Sequence, residues 1–357
     1  MSKKTLFVVA GGSGGHILPA IQLAKQWLTN NPDGHIVFFT GSSELEKKIF
    51  KNHPHITKIV PFSLPKFSRA QWWKIPWLLT RLAYIFCTTV AYTLRYWPER
   101  VIGTGGLLAV PVCIASRGLR RRVEIYNLDV LPGKAVKALF SIAHTIFIIF
   151  PQTQLLCRWH KRNFFGKCQQ TNYPLRFNDP DRNIDLAAVK NRINTALQQQ
   201  NSQHPFDTTR KTIFVLGGSQ GSVLLNNLIK QFVQQHQSLP IQIIHQTGAF
   251  EEQQWSEWYA ANKMPAFTFN YDERVHEYYA LADVIVCRAG AGTLFEIAFF
   301  QKPCIVIPLI APTTSHQIYN ARAMVEQHPS LFTILEQEHV HANPTSFMTT
   351  LRTKLAL

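Results

Sequence analysis

The stretch from Asp283 to Glu296, Asp-Val-Ile-Val-Cys-Arg-Ala-Gly-Ala-Gly-Thr-Leu-Phe-Glu, has the residue types needed to hold a phosphorylated ligand. Ala289, Gly290, Ala291 and Gly292 are small enough for a ligand to lie against the backbone, and Thr293 opens an apolar stretch at helical spacing. Strand, glycine turn and helix in that order aim free N–H groups and a positive dipole end at a phosphate. Glu296 falls about one turn into that helix, where a carboxylate can accept two hydroxyls of a ribose. A turn that only redirects the chain would use the same residues, so recurrence of the motif decides between the two.

The motif does recur. Thr5-Leu-Phe-Val-Val-Ala runs into Gly11-Gly12-Ser13-Gly14-Gly15-His16, and Thr212-Ile-Phe-Val-Leu runs into Gly217-Gly218-Ser219-Gln220-Gly221. Strands are expected at 5–10, 36–40, 57–62, 100–103, 123–126 and 145–150, then at 212–216, 241–245, 266–270, 284–287 and 304–308. Helical patterns stand between them at 19–28 and 44–50. Such alternation predicts an α/β chain of two Rossmann-like, doubly wound parallel-sheet domains facing across a cleft. The polar, turn-rich run Asn178-Asp-Pro-Asp-Arg-Asn183 reads as the linker. The domains are therefore expected at 1–176 and 177–340, with a last helix in 341–357 packing back on the first. Asp179-Pro-Asp181 has metal-binding spacing, but in such a linker it reads as a turn, and no metal is assigned.

A chain of 357 residues exceeds one ordinary core, and 46% hydrophobic content suits a globular enzyme. Its formal charge is +16, from 37 Lys and Arg against 21 Asp and Glu, which predicts an acidic partner without choosing among them. The six cysteines, Cys87, Cys113, Cys157, Cys168, Cys287 and Cys304, are scattered and read as reduced thiols. The start of the chain reads as a first strand and not a signal peptide. No run of twenty uncharged apolar residues is present to span a membrane.

Residues 69–100 break the alternating pattern. Trp72, Trp73, Trp77, Tyr84, Tyr92, Tyr96 and Trp97 crowd together, with Arg69, Lys74, Arg81, Arg95 and Arg100 interleaved. A crossover helix packed on the sheet would use the aromatics as core. A basic, aromatic-rich surface would instead lie in an anionic membrane interface, and both hold if one face packs and the other meets lipid. Arg81 and Arg95 oppose a transmembrane span.

The glycine loops stand where strand carboxyl ends bind ligands in open α/β sheets. None fits a dinucleotide fingerprint, and none is followed by the Gly-Lys-Ser/Thr of a P-loop. A nucleoside diphosphate held by backbone amides in the second domain remains, with an acceptor held by the first.

Four motifs, Gly11-Gly-Ser-Gly-Gly-His16, Gly217-Gly-Ser-Gln-Gly221, Cys287-Arg-Ala-Gly-Ala-Gly-Thr293 with Glu296, and His316-Gln317 with Asn320-Ala321, occur in an order and at separations that resemble glycosyltransferase family 28. The likeness covers nearly the whole chain. It implies a GT-B fold and an inverting, metal-independent N-acetylglucosaminyltransferase of peptidoglycan synthesis that needs no cofactor. The donor implied is UDP-N-acetylglucosamine. The acceptor implied is an undecaprenyl-diphosphate-linked muramyl-pentapeptide at the cytoplasmic face of the inner membrane, where the enzyme is peripheral.

By the same resemblance, Ser219 and Gln220 face the diphosphate, and Gly290, Ala291, Gly292 and Thr293 supply helix-terminus amides. Glu296 takes the ribose hydroxyls, His316 and Gln317 contact sugar or phosphates, and Arg176 lies near the nucleotide. Ser13, Gly14 and Gly15 of the first motif also contact the UDP-sugar. His16 faces the reaction centre, either deprotonating the acceptor or steering the diphosphate. Departures from the family cluster on the acceptor side. The family's His-Glu-Gln-Asn reads Tyr126-Asn127-Leu128-Asp129, its Gly-Gly-Tyr segment reads Gly105-Gly106-Leu107, and the Asn of its Asn-Pro-Val-Arg is Tyr173. Asp129 stands where it could replace a lost polar contact or act as base, and Gly105, Gly106, Asn127 and Tyr173 mark the acceptor side.

Three rivals remain open on sequence grounds: a lipid glycosyltransferase with another acceptor such as diacylglycerol, a UDP-sugar epimerase of the same shape, and a nucleic-acid binder. The last lacks any aromatic-basic recognition motif, so no nucleic-acid partner is expected.

Overall fold

The computed structural model describes residues 3–64, 73–156, 165–199, 204–218, 221–248, 252–310 and 316–357. The chain divides into two units, Met1–Arg176 and Phe177–Leu357.

The first unit is built on a seven-stranded parallel sheet in the order β3-β2-β1-β4-β5-β6-β7. The strands are β1 Thr5–Ala10, β2 His35–Gly41, β3 Lys58–Phe62, β4 Arg100–Gly105, β5 Arg122–Asn127, β6 Thr145–Ile148 and β7 Cys168–Gln170. All six residues of β1 are buried, as a strand covered on both faces requires. Strand order reverses between β1 and β4, and ligands bind at the carboxyl ends beside such a switch point.

The helix Gly14–Thr29 begins three residues after the motif's first glycine, not at Pro19 as helical periodicity suggests. Ser13 is extended at its N-cap. Gly14, Gly15 and His16 therefore form the first helical turn and are not part of a loop.

The helix Ile75–Tyr96 packs on the helix Ala109–Gly118. Only Ile85, Thr89 and Thr93 of its residues are fully buried, while Tyr92 and Tyr96 pack partly against the core. Trp73, Trp77 and Trp97 are 60%, 46% and 57% exposed, so none of these tryptophans is core. Arg69 and Trp72 lie outside the described residues. Among the described residues, this is the one helix long and apolar enough to cross a membrane, with mean hydropathy 1.2 over its best window. Arg81 stacks on Trp77 at 5.4 Å and Arg95 on Tyr96 at 5.5 Å.

The second unit repeats the plan with a six-stranded parallel sheet, β10-β9-β8-β11-β12-β13. Its strands are β8 Lys211–Leu216, β9 Ile241–Gln246, β10 Ala266–Phe269, β11 Val284–Cys287, β12 Cys304–Val306 and β13 Phe332–Ile334. Order reverses between β8 and β11, the two strands that carry the glycine motifs. The final helix, Pro344–Leu355, places Phe347, Met348, Leu351 and Leu355 in the second unit's core, beside Leu228, Phe232 and Val284.

The linker run is a single 3-10 turn, Asp179–Arg182. Asp181 accepts from the Asn178 N–H at 2.8 Å, and Asp179 pairs with Arg182 at 3.6 Å. Both carboxylates thus serve the turn.

Candidate functional site

In the first unit the loops after β1, β4 and β5 stand side by side, because these strands are neighbours in the sheet. The β1–β4 register slips between Val9 and Ala10, just before the glycines. Thr104 then donates its hydroxyl to the His16 carbonyl at 2.9 Å, tying the first helical turn to β4.

His16 is half-buried and lies against Gly105: a Cβ there would stand 2.9 Å from His16 Cε1. At Gly106 (φ +87°) a Cβ would fall 2.6 Å from the Gly11 carbonyl oxygen. The two loops approach so closely that only glycine fits at that point. Gly11 and His16 are thereby brought together with Gly106 and Gly105.

Asn127 ends β5 almost fully buried, and its amide donates to the Asp129 carbonyl at 2.5 Å, fixing the turn that carries Asp129. Tyr173 and Arg176 come from another part of the sheet. They follow β7, the edge strand, where Tyr173 is buried and Arg176 half-buried.

The second unit holds a cavity of about 770 Å³ against the loops after β8 and β11. Gly217, Gly218, Gly221 and Ser222 line it from one side, Arg288, Gly290 and Thr293 from the other, and Gln317 and Gln337 close it. Gly290 is the extended N-cap of the helix Ala291–Phe300, and no side chain caps that end. Its first-turn amides retain their partial positive charge for a ligand.

Gly221 (φ +74°) packs against the β9 turn, where a Cβ would lie 2.5 Å from the Thr247 carbonyl oxygen. That carbonyl accepts from Asn226 Nδ2 at 3.2 Å, and Asn226 Oδ1 stands 3.1 Å from His245 Nε2. Tyr259 Oη lies 2.9 Å from His245 Nδ1. Since Asn226 Oδ1 can only accept, Nε2 carries a proton. Burial pushes the ring's pKa down to about 3, which keeps it neutral at physiological pH.

Arg288 joins the two glycine loops. Its Nε donates to Ser222 Oγ at 2.9 Å, and its Nη1 donates to the Ile307 carbonyl and Gln337 Oε1, each at 3.0 Å. Burial pulls its pKa down to about 10, which leaves the guanidinium charged at neutral pH.

Gln317 and Asn320 clamp the Ala289 peptide. Gln317 Oε1 accepts from the N–H groups of Ala289 at 3.2 Å and Leu309 at 2.8 Å, and Asn320 Nδ2 donates to the Ala289 carbonyl at 3.2 Å.

Of the residues singled out from sequence, Gly290, Thr293 and Gln317 line the cavity, with Ala291 and Gly292 in the same helical turn. His316 begins the helix His316–Gln327 next to Gln317. Glu296 is 8% exposed and accepts from Tyr279 Oη at 2.8 Å, but it is not part of the cavity wall. Ser219 and Gln220 lie outside the described residues.

Arg288, Ser222, Gln337 and Thr104 were not anticipated. Arg288 sits inside a motif already noted for its glycines, and a lone cation beside a phosphate-type turn was the available signal.

Comparison with known proteins agrees with this geometry. Residues 6–148 match the glycosyltransferase family 28 N-terminal domain and residues 212–341 its C-terminal domain. A protein of Protochlamydia amoebophila is 29% identical over 331 residues, covering 91% of this chain and 81% of its own. One of Trichlorobacter lovleyi is 28% identical over 334 residues, covering 90% and 83%. Each is named UDP-N-acetylglucosamine–N-acetylmuramyl-(pentapeptide) pyrophosphoryl-undecaprenol N-acetylglucosamine transferase. In structure the chain is similar to MurG of Acinetobacter baumannii, with TM-score 0.67 and 20% identity over 99% of this chain and 91% of that one, a likeness of fold. Two parallel-sheet units of GT-B type, each with its glycine turns at a switch point, and domain matches over most of the chain lead to one conclusion: the protein belongs to glycosyltransferase family 28.

Proposed function

We propose that the protein transfers N-acetylglucosamine from UDP-N-acetylglucosamine to the muramyl sugar of an undecaprenyl-diphosphate-linked muramyl-pentapeptide. The observation that carries this reading is the uncapped helix end at Gly290, facing a cavity walled by a second glycine turn and the Arg288 guanidinium. That set of groups suits a diphosphate, and the names of the relatives supply the sugar and the acceptor.

In this account the second unit binds the donor. Amides of Gly290, Ala291, Gly292 and Thr293 meet the diphosphate, with Ser219 and Gln220 from the facing loop. Glu296 meets the ribose, His316 and Gln317 approach the sugar, and Arg176 contributes a cation. As the glycosidic bond to the diphosphate breaks, negative charge grows on the leaving oxygen. The helix dipole and Arg288 stabilise it without reorganising. The acceptor hydroxyl attacks the anomeric carbon from the opposite face in a single displacement, through an oxocarbenium-like transition state. Its proton passes to His16, in the first turn of the helix after β1, or to Asp129, in the turn after β5. Ser13, Gly14 and Gly15 reach the donor from the first unit, and Gly105, Gly106, Asn127 and Tyr173 shape the acceptor side.

The exposed apolar surface of the first unit supports docking on an anionic bilayer. Ile75, Trp77, Leu79, Tyr84, Leu94 and Trp97 are all exposed, with Lys74, Arg81 and Arg95 among them. The half-exposed Trp97 also carries Arg121 over its ring at 4.0 Å. Aromatic and basic side chains mixed in this way suit the headgroup region.

A second reading keeps the donor and changes the acceptor. Leu107, 42% exposed, occupies the turn after Gly106 where the family carries tyrosine, and the Asn127 amide is committed to its own turn. An acceptor with fewer polar groups, such as diacylglycerol, would suit that edge.

The test is a screen of lipid acceptors with labelled UDP-N-acetylglucosamine. Transfer to the undecaprenyl-linked muramyl-peptide supports the first reading. Transfer to diacylglycerol alone supports the second, and release of an epimerised sugar without acceptor removes both.

A further inference from the structure

We propose that Tyr279 is a positioning residue for Glu296 and sets the selectivity of the donor site for a ribose over a deoxyribose. This inference rests on the donor reading given above, in which Glu296 meets the ribose hydroxyls.

The argument begins with burial. Glu296 is 8% exposed and Tyr279 1% exposed, and Tyr279 Oη donates to Glu296 Oε2 at 2.8 Å. A carboxylate taken out of water needs donors, and one that can still turn would meet a diol in several geometries. Tyr279 removes that freedom, because its ring is held on three sides. It stacks on Phe300 at 5.2 Å and 15°, meets Phe214 edge-on at 5.4 Å, and meets Phe177 at 6.2 Å.

Phe300 and Glu296 are four residues apart on the helix Ala291–Phe300, so they share one face. The ring that locks the tyrosine and the carboxylate that the tyrosine orients therefore move as one piece. The same helix carries the uncapped turn at its start. Tyr279 thus fixes the distance between the phosphate-type turn and the carboxylate, which is the spacing a nucleoside diphosphate with a vicinal diol would have to match.

The neighbouring Tyr278 supplies an internal control. It lies in the same helix, Val275–Leu281, and is equally buried, but its hydroxyl donates to Asp272 Oδ2 at 2.6 Å. Loss of either hydroxyl removes one bond to a carboxylate, and only one of the two carboxylates is Glu296.

The experiment measures the affinity of the full-length protein for UDP and for 2′-deoxy-UDP by titration calorimetry. It compares the parent chain with Tyr279→Phe, Tyr278→Phe and Glu296→Ala, with Tm recorded for each. The expected result is that the parent prefers UDP, and that Tyr279→Phe and Glu296→Ala each cut this preference about fivefold or more. Tyr278→Phe keeps the preference even where its Tm falls. If Tyr279→Phe weakens both nucleotides equally, or keeps the parent's preference while Glu296→Ala abolishes it, the positioning role is wrong and the donor reading stands. If Glu296→Ala leaves the preference intact, or the parent shows none, the donor reading fails at Glu296 and the role of Tyr279 falls with it.

Discussion

Arg288 donates from Nε to Ser222 Oγ at 2.9 Å, and this bond joins the turn after β11 to the turn after β8 across the switch point of the second sheet. The two halves of the cavity are held in register by one side chain, which also ties Ile307 and Gln337.

Replacement of Arg288 tests that link. Arg288→Lys keeps a charge but loses the planar fork that reaches three acceptors. Affinity for UDP is expected to fall about tenfold or more for both Arg288→Ala and Arg288→Lys. Equal affinity of the lysine variant and the parent would show that charge alone matters. Titration calorimetry decides.

Gln317 offers a sharper substitution. Its Oε1 already accepts from Ala289 and Leu309, and a glutamate would accept from the same two groups. Gln317→Glu is therefore expected to keep the fold, with Tm within a few degrees of the parent, and to weaken UDP binding by placing a negative charge beside the diphosphate. Unchanged UDP affinity would remove Gln317 from contact with the ligand. Asn320→Ala instead leaves the buried Ala289 carbonyl without its donor and should cost about 1–3 kcal/mol of stability in chemical denaturation.

Gly105→Ala probes the first unit. A methyl group there meets the His16 ring, and the position has φ +131°. Turnover is expected to fall at least about tenfold through displacement of His16, with UDP affinity nearly intact. A loss of UDP affinity matching the loss of turnover would contradict a role confined to the acceptor side.

The buried His245 gives a pH prediction. Its folded pKa, about 3, lies below the ordinary 6.5, so the unfolded chain binds the extra proton. The stabilisation is complete above about pH 6.5 and is lost as pH falls toward 3, at roughly 1.4 kcal/mol per pH unit in the steep region. His245→Gln should flatten the acid limb of Tm against pH. An unchanged limb would assign the slope to His35, His55 and His144, whose pKa values desolvation also lowers.

Replacing Trp73, Trp77, Lys74 and Arg81 with polar or acidic residues should reduce co-sedimentation with anionic vesicles about tenfold or more, while UDP affinity stays at the parent level. Binding equal to the parent's would sink the membrane assignment.

The central strands are legible because β1, β8 and β11 are nearly uninterrupted apolar runs, with glycine directly after β1 and β8 and three residues past the end of β11. The edge strands β7 and β13 have three residues each, too short to show a period. The helix Leu186–Gln199 went unassigned, although Val189, Ile193 and Leu197 mark one buried face at four-residue spacing. The start of the helix Gly14–Thr29 is hidden in the sequence because two glycines carry low helical propensity, which the Thr104 bond to the His16 carbonyl and the burial of Ile17 offset. At the site, local motifs located the turns. The Arg288–Ser222 and Asn320–Ala289 bonds join residues far apart in sequence and needed the fold to appear.

The central claim is a single displacement on a UDP-sugar. Its most direct test is nuclear magnetic resonance of the product formed from UDP-N-acetylglucosamine and the undecaprenyl-linked muramyl-peptide, with released UDP quantified. The account predicts one UDP per new disaccharide and a β linkage from the α-linked donor. A retained α linkage, or consumption of the donor without a disaccharide, would contradict it.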